Sequence, residues 1–340
     1  MGSMILDRMS RFEKYPGLTL GCIIGLIVLI GYVIASIKFN NTSLKKTIHQ
    51  YYLSGIIDNN IGRFIKLREH PPGKTKIDRP SRNYLKNIAP NSLERKYYTL
   101  KIDQAGFIEP SQIHADPDNS IIFLGGSTTE CLYMAERERF PYLVGRQLEA
   151  TVGKKINSYN GGVSANESKH SINIFYNKVL KMHPDIVVLM HNVNDLAVLR
   201  ASGSYDYEHS LKSHLQNVHT LFSPNEFPAP SGKQASEETL LLAFERNLRT
   251  FIAMAKIHAI QPVLMTQANR LQNDALYHAF NEKIREISAQ EKILMIDLAK
   301  EIPPTPEYLY DHYHYTATGA RLAADRISAA LSPYIAQERG

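Results

Sequence analysis

Only two cysteines, Cys22 and Cys131, occur among 340 residues. One lies in an apolar run and the other just after a glycine turn. They form no disulfide framework, and cysteine usage assigns no redox compartment. Charge is also unevenly supplied. The net charge is +6, yet residues 1–37 carry +1, residues 38–103 carry +9 and residues 104–340 carry −4. The basic balance therefore describes one segment. The acidic majority lacks a basic face interleaved with aromatics and lacks a known binding module, which argues against nucleic acid as a partner. Hydrophobic residues make up 44% and charged residues 21%, enough to build a sizeable core.

Charge is missing altogether from Leu18 to Ile37, LTLGCIIGLIVLIGYVIASI. Twenty such residues span roughly 30 Å of hydrocarbon when helical. A buried core helix is rarely so uninterrupted. A cleaved signal peptide is the stronger rival, with Val33-Ile34-Ala35 as its small-residue site, but the run exceeds the usual apolar region of such peptides. Leu20-Gly21-Cys22 is no lipoprotein site, because the apolar run follows the cysteine. The expectation is an uncleaved single-pass transmembrane helix over 18–37, preceded by a cytoplasmic tail over 1–17. Arg8, Arg11 and Lys14 balance Lys38, Lys45 and Lys46, and the excess farther out lies on the C-terminal side. The positive-inside rule thus does not favour placing the large domain outside. Its expected extracytoplasmic location, periplasmic or extracellular, rests on the tendency of large domains to translocate regardless of charge.

Residues 38–95 contain HPPGKTKIDRPSRN and read as a basic membrane-proximal linker. Such a segment either lies against anionic headgroups or is a solvated connector. From about residue 96 the pattern changes. Short apolar runs at Ser120–Leu124, Lys155–Tyr159, Asp185–Met190, Pro262–Thr266 and Ile293–Asp297 alternate with helical stretches at 140–150, 166–182, 237–258, 274–290 and 318–335. This predicts an α/β domain over 96–340, with a mostly parallel sheet covered on both faces.

Ligand groups in such sheets gather at the carboxyl ends of the strands. The successive exits read Gly125-Gly126-Ser127, Asn160 through Ala165, and His191-Asn192-Val193-Asn194-Asp195. Then come Gln267-Ala268-Asn269-Arg270 and a final loop, YLYDHYHYTATG. A serine needs a base, and a histidine base needs an orienting carboxylate. Asp311 and His314, three residues apart, supply both: Asp311 can reach Nδ1 and leave Nε2 for Ser127. His312 is the rival base, disfavoured because adjacent side chains in a turn diverge. Gly126 leaves room beside Ser127. The Ser127 N–H, an N–H from the second exit and the Asn194 amide can hold an oxyanion, each donor worth roughly 3–4 kcal/mol. Taken singly, these features have plain structural readings: a turn serine, a helix-capping Asn194-Asp195, a packed tyrosine-rich loop, and His191 as a structural residue.

In combination and in this chain order, the motifs resemble those of the SGNH hydrolases, the GDSL-type esterase/lipase superfamily, over roughly residues 96–335. Gly125-Gly126-Ser127-Thr128 is similar to the family's Gly-Asp-Ser-Leu block, with Gly126 replacing the aspartate. Asn160 through Ala165 matches the second block, Ala165 standing where the family has an oxyanion glycine; Gly162 is the alternative if the loop register shifts. Asn192-Val193-Asn194-Asp195 matches Gly-x-Asn-Asp, with Asn192 in place of the glycine. Asp311 and His314 match Asp-x-x-His. The resemblance implies a three-layer α/β/α sandwich, flavodoxin-like in its sheet. It also implies ester hydrolysis through an acyl-serine, with no metal or other cofactor. It assigns Ser127, His314 and Asp311 as catalytic, with Ser127, Ala165 and Asn194 as oxyanion donors, while Gly126, Gly162 and Asn192 are candidate pocket residues. Anchored members resemble enzymes that remove or move acetyl groups on cell-surface polysaccharide. The expected substrate is therefore an acylated small molecule or carbohydrate. An O-acyltransferase, a lysophospholipase or thioesterase, and a tethered binding protein with a relic site are the alternatives. An insert near 201–236, containing PNEFPAPSGK, either overhangs the site or is a surface loop.

Overall fold

The computed structural model describes Leu29 and residues 67–205, 235–271 and 273–336. The expected membrane span (Leu29 apart), the first part of the linker and most of the insert lie outside the described residues. Among the described residues, no helix is long and apolar enough to cross a membrane.

Five strands form one parallel sheet: β3 (Asn119–Gly125), β4 (Ile156–Gly162), β5 (Ile186–Met190), β6 (Gln261–Met265) and β7 (Leu294–Ile296), in the order β4-β3-β5-β6-β7. The apolar runs make strands because both faces of each are buried. In β3, Ile122 and Leu124 join a core with Phe175, Phe244, Phe251 and Phe280. Ile121 and Phe123 face the opposite way, toward Phe140, Val144, Ala323 and Ile327. This period of two puts a helical layer on each face. The first is built from α4 (Ser168–Asn177), α6 (Glu237–Ile257) and α7 (Ala275–Glu291). The second is built from α3 (Phe140–Val152) and α8 (Ala317–Ala336). In α6, Leu240, Phe244, Leu248, Phe251 and Ile252 are buried at helical spacing, and Ser236 Oγ caps the first turn by accepting from Thr239 N.

The chain enters the sheet at β3, adds β4 on one side and then crosses to β5 on the other. Such a reversal leaves a crevice at the carboxyl end of the first strand. The residue after that strand and its tight turn is Ser127.

The segment read as a linker differs from expectation from residue 67 onward. β1 (Thr75–Asp78) pairs antiparallel with β2 (Tyr98–Lys101), and α1 (Arg82–Lys86) lies between them. The expected boundary at 95/96 therefore falls inside a two-stranded unit. Arg139 ties this unit to the body. Its guanidinium is buried and donates to the carbonyls of Thr99 (2.7 Å), Glu109 (3.1 Å), Met134 (3.3 Å) and Cys131 (3.4 Å). β4 also runs farther than expected. Gly161 and Gly162 pair with Leu124 and Gly125, so Asn160 is a strand residue rather than the start of an exit loop.

Candidate active site

β3 ends at Gly125, and the chain turns at Gly126 into α2 (Ser127–Glu130), a single turn closed by left-handed Cys131 at φ 53°. A Cβ on Gly126 would overlap Asn194 Nδ2. The glycine permits that close approach; a side chain here would require the Asn194 amide to shift. The Ser127 N–H opens the turn and has no partner four residues earlier.

The closing loop brings a histidine and an aspartate to this serine. His314 Nε2 lies 2.8 Å from Ser127 Oγ, and His314 Nδ1 lies 2.7 Å from Asp311 Oδ2. Because Asp311 is a carboxylate, Nδ1 carries the proton and Nε2 accepts from the serine. Asp311 Oδ1 accepts the backbone N–H groups of Tyr313 and His314, each at 2.8 Å, which closes the turn and orients the carboxylate. Burial alone would raise Asp311. The bond to His314, the charge of that ring and the bond from Tyr84 outweigh it and hold the carboxylate well below its usual range. His312 is exposed; its carbonyl accepts Arg270 N at 2.9 Å, and its ring stands edge-on to Tyr313.

Ala165 lies in a turn closed by Asn166 N donating to Val163 O at 3.0 Å, and its φ is +63°. This is the conformation a glycine adopts without strain. Asn194, in the first turn of α5 (Val193–Ser202), donates one Nδ2–H to Asn166 O at 2.7 Å. The primary amide carries a second N–H that this bond does not consume. Loop and helix are thereby stitched together beside Gly126.

Two residues expected to line a pocket do not. Gly162 is buried under the Ser127–Glu130 turn, where a Cβ would overlap the backbone of Thr129 and Glu130. Asn192 is 1% exposed, and its Nδ2 donates to Tyr277 O and Asn281 Oδ1, both at 2.9 Å. Its buried amide has interior partners, so it turns away from solvent. Gly126 is buried as well. Asp195 is no helix cap: it accepts from Ser168 N at 3.0 Å, Tyr205 OH at 2.6 Å and Ser168 Oγ.

Other residues at this edge carried no motif signal. Gln267 links three strand exits, donating from Nε2 to Thr128 Oγ1 at 2.6 Å and accepting Val193 N at Oε1 at 3.0 Å. His70 Nε2 lies 3.1 Å from Gly162 O and 3.4 Å from Glu130 Oε1. The latter is an ion-pair distance without hydrogen-bond geometry at Oε1. Glu130 is fully buried, also bonds Ser164 Oγ, and is held below its usual range: burial would raise it, but His70 and Ser164 outweigh burial. Arg68 NH2 donates to Ser164 O at 3.3 Å and Asn166 Nδ2 donates to Arg68 O at 2.9 Å. The second exit loop is thus strapped from outside by the segment 67–70. Only side chains of the sheet exits had been readable as a group; these partners come from more than 90 residues away.

A three-layer body with a serine, histidine and aspartate in hydrogen-bonded series at the strand ends defines a class of acyl-ester hydrolases. The sequence model of the GDSL-like Lipase/Acylhydrolase family matches residues 123–322, and the chain belongs to that family. It is a serine ester hydrolase. No curated protein sequence matches the chain. Solved structures similar to it include an α/β hydrolase from the metagenome of Lake Arreo, Spain (16% identity, 65% of this chain and 97% of that one, TM-score 0.46). An acetyl xylan esterase from Geobacillus stearothermophilus is similar at 16% identity, over 65% of this chain and 98% of that one, TM-score 0.45. A lipase/acylhydrolase from Enterococcus faecalis is similar at 19% identity, over 65% of this chain and 100% of that one, TM-score 0.46.

Proposed function

We propose that the chain hydrolyses O-acetyl esters carried on cell-surface carbohydrate, from a body tethered to a membrane by residues 18–37. Ser127 Oγ attacks the ester carbonyl while His314 Nε2 takes its proton. Asp311 holds the ring and stabilises the imidazolium. The Ser127 N–H, the Ala165 N–H and the Asn194 amide hold the oxyanion. His314 then protonates the departing alcohol oxygen, leaving an acetyl-Ser127 ester. A water molecule, deprotonated by the same nitrogen, attacks that ester and releases acetate and free Ser127.

The observation that carries this reading is the unbroken series Ser127–His314–Asp311 at 2.8 and 2.7 Å. A long acyl chain finds little room on one side of Ser127, where the hollow between Thr128, Cys131, Tyr133, Met134, Tyr310 and Tyr315 measures about 10 Å³, scarcely one water's worth of space. The tether rests on the uncharged run, and the carbohydrate on the motif resemblance of anchored members.

The test is a fluorophosphonate label on the full chain, followed by acetyl, butyryl, long-chain acyl and thioester substrates, with and without a sugar acceptor. Labelling lost in Ser127→Ala and a preference for acetyl esters is the expected result. Preference for long chains would overturn the acetyl reading. Acetyl appearing on the acceptor rather than in water would make the protein a transferase.

A further inference from the structure

The far end of the proton relay is not made by the parallel sheet alone. Asp311 Oδ2 accepts two donors: His314 Nδ1 at 2.7 Å and Tyr84 OH at 2.6 Å. Tyr84 lies 227 residues upstream, on α1, whose first turn is capped by Ser81 Oγ accepting Tyr84 N at 3.0 Å. Two more bonds fasten the same segment to the same loop. Ser92 Oγ donates to Tyr310 O at 3.0 Å and Ala89 N donates to it at 3.3 Å. The Tyr310 ring in turn lies nearly parallel to the His314 ring, 10° apart with centroids 5.5 Å apart. Tyr133 contacts the Tyr84 ring at 6.2 Å and Tyr98 of β2 at 5.5 Å. The phenol is therefore held by its ring as well as by its hydroxyl.

We propose that Tyr84 is a positioning residue for the Asp311–His314 pair, so that the segment before the α/β body completes the acid end of the relay. The inference rests on the roles given above to Ser127, His314 and Asp311. A carboxylate oxygen offers two lone pairs. With one committed to Tyr84 and Oδ1 committed to two backbone N–H groups, the remaining pair is aimed at Nδ1. The phenol also disperses part of the carboxylate charge. Burial first, then the bond to Asp311, push the Tyr84 hydroxyl well above its ordinary value, so it remains a donor across any working pH. Among the described residues, the other titratable or charged groups facing Asp311 are His314, Tyr310, Tyr313 and Arg270, whose NH1 donates to Asp311 O at 3.3 Å.

The experiment compares the full chain with its Tyr84→Phe variant, which keeps the ring. Hydrolysis of p-nitrophenyl acetate and the rate of fluorophosphonate labelling are followed against pH. In Tyr84→Phe, kcat falls about tenfold while KM stays within about twofold. The less neutralised carboxylate grips the protonated ring more firmly, so the acid limb of both profiles moves up by about half a pH unit. Ser92→Ala, which loosens the same loop without touching Asp311, leaves that limb in place. On an Asp311→Asn background, Tyr84→Phe has no further effect. An unmoved acid limb, or an undiminished loss on that background, overturns the proposal. If wild type itself is neither labelled nor active, the functional reading fails instead. The low-field Nδ1 proton of His314 in the NMR spectrum then decides the Tyr84 contact, since it shifts in Tyr84→Phe if the bond shapes the relay and stays put if not.

Discussion

Among the described residues, two serine–histidine–aspartate arrangements occur, and they differ in almost everything but composition. In the first, Ser127, His314 and Asp311 are linked at 2.8 and 2.7 Å, with the His314 and Asp311 side chains 24% and 13% exposed. In the second, Ser171 Oγ lies 2.7 Å from His191 Nε2, and His191 Nδ1 lies 3.5 Å from Asp195 Oδ2. Those two side chains are 1% and 0% exposed. Burial pushes His191 down to about 4 and Asp195 up, so the interior favours the uncharged forms of both. At the edge the ordering is reversed: Asp311 is held firmly ionised. A proton relay needs an imidazole that can become charged next to a fixed carboxylate, with a substrate in reach. The interior arrangement meets neither condition. It instead joins Ser168 of α4 to Asp195 of α5, with Tyr205 and Asn247 completing the bonds. Since Asn166 and Asn194 lie next to those residues, this buried network holds the two candidate oxyanion loops together.

The sharpest way to break the comparison is to delete each serine. Ser127→Ala is expected to lower kcat/KM by at least about 10³-fold and to abolish fluorophosphonate labelling. Ser171→Ala is expected to leave labelling intact and activity within about threefold. It leaves His191 Nε2 buried without its partner, which costs about 1–3 kcal/mol in a urea titration. Labelling lost in Ser171→Ala with stability unchanged would reverse the assignment of the two arrangements.

The two arrangements also respond differently to acid. His191 is folded in its neutral form, so protonation favours the unfolded chain. Its contribution is fully present above the unfolded value of 6.5 and is lost as pH falls toward about 4, an integrated change of about 3 kcal/mol. Asp195 works in the opposite sense, because the folded chain takes up that proton before the unfolded chain does, and the net loss is smaller. Asp311, held below its unfolded 3.8, keeps its contribution until the pH drops under that value. Urea midpoints measured through this window are expected to decline in wild type and to decline less steeply in His191→Gln. Parallel declines would mean that another group titrates.

The same contrast explains what the sequence could and could not disclose. The five strands were legible because burial on both faces leaves an apolar run, and Asp311 and His314 were legible because three residues of spacing let one side chain reach the other. The strand Thr75–Asp78 was not, since TKID is largely exposed and owes its conformation to pairing with Tyr98–Lys101. A local pattern carries no trace of that partner. Tyr84 and His70 were equally silent, as each acts across a distance in sequence that only the fold closes; Gln267 was legible only as a polar residue at a strand exit. Gly162 and Asn192 were read as candidate pocket residues from their positions in the motif blocks. The exits mark an edge but not which side chains turn inward, and the Asn192 amide found Tyr277 and Asn281 in the interior.

The smallest expected effect lies at Ala165. Its φ of +63° costs a non-glycine residue roughly 1–2 kcal/mol. Glycine removes that strain but loosens the unfolded chain, an opposing term of roughly 0.5–1 kcal/mol. Ala165→Gly is therefore expected to change stability by no more than about 1 kcal/mol, toward the stable side. Because the N–H is kept, activity stays within about threefold if this backbone donates to the oxyanion. Asn194→Ala removes a side-chain donor and is expected to lower kcat by about 10²-fold with little change in KM. An Ala165→Gly loss as large as that of Asn194→Ala would mean that the methyl group itself, rather than the backbone donor, shapes the site.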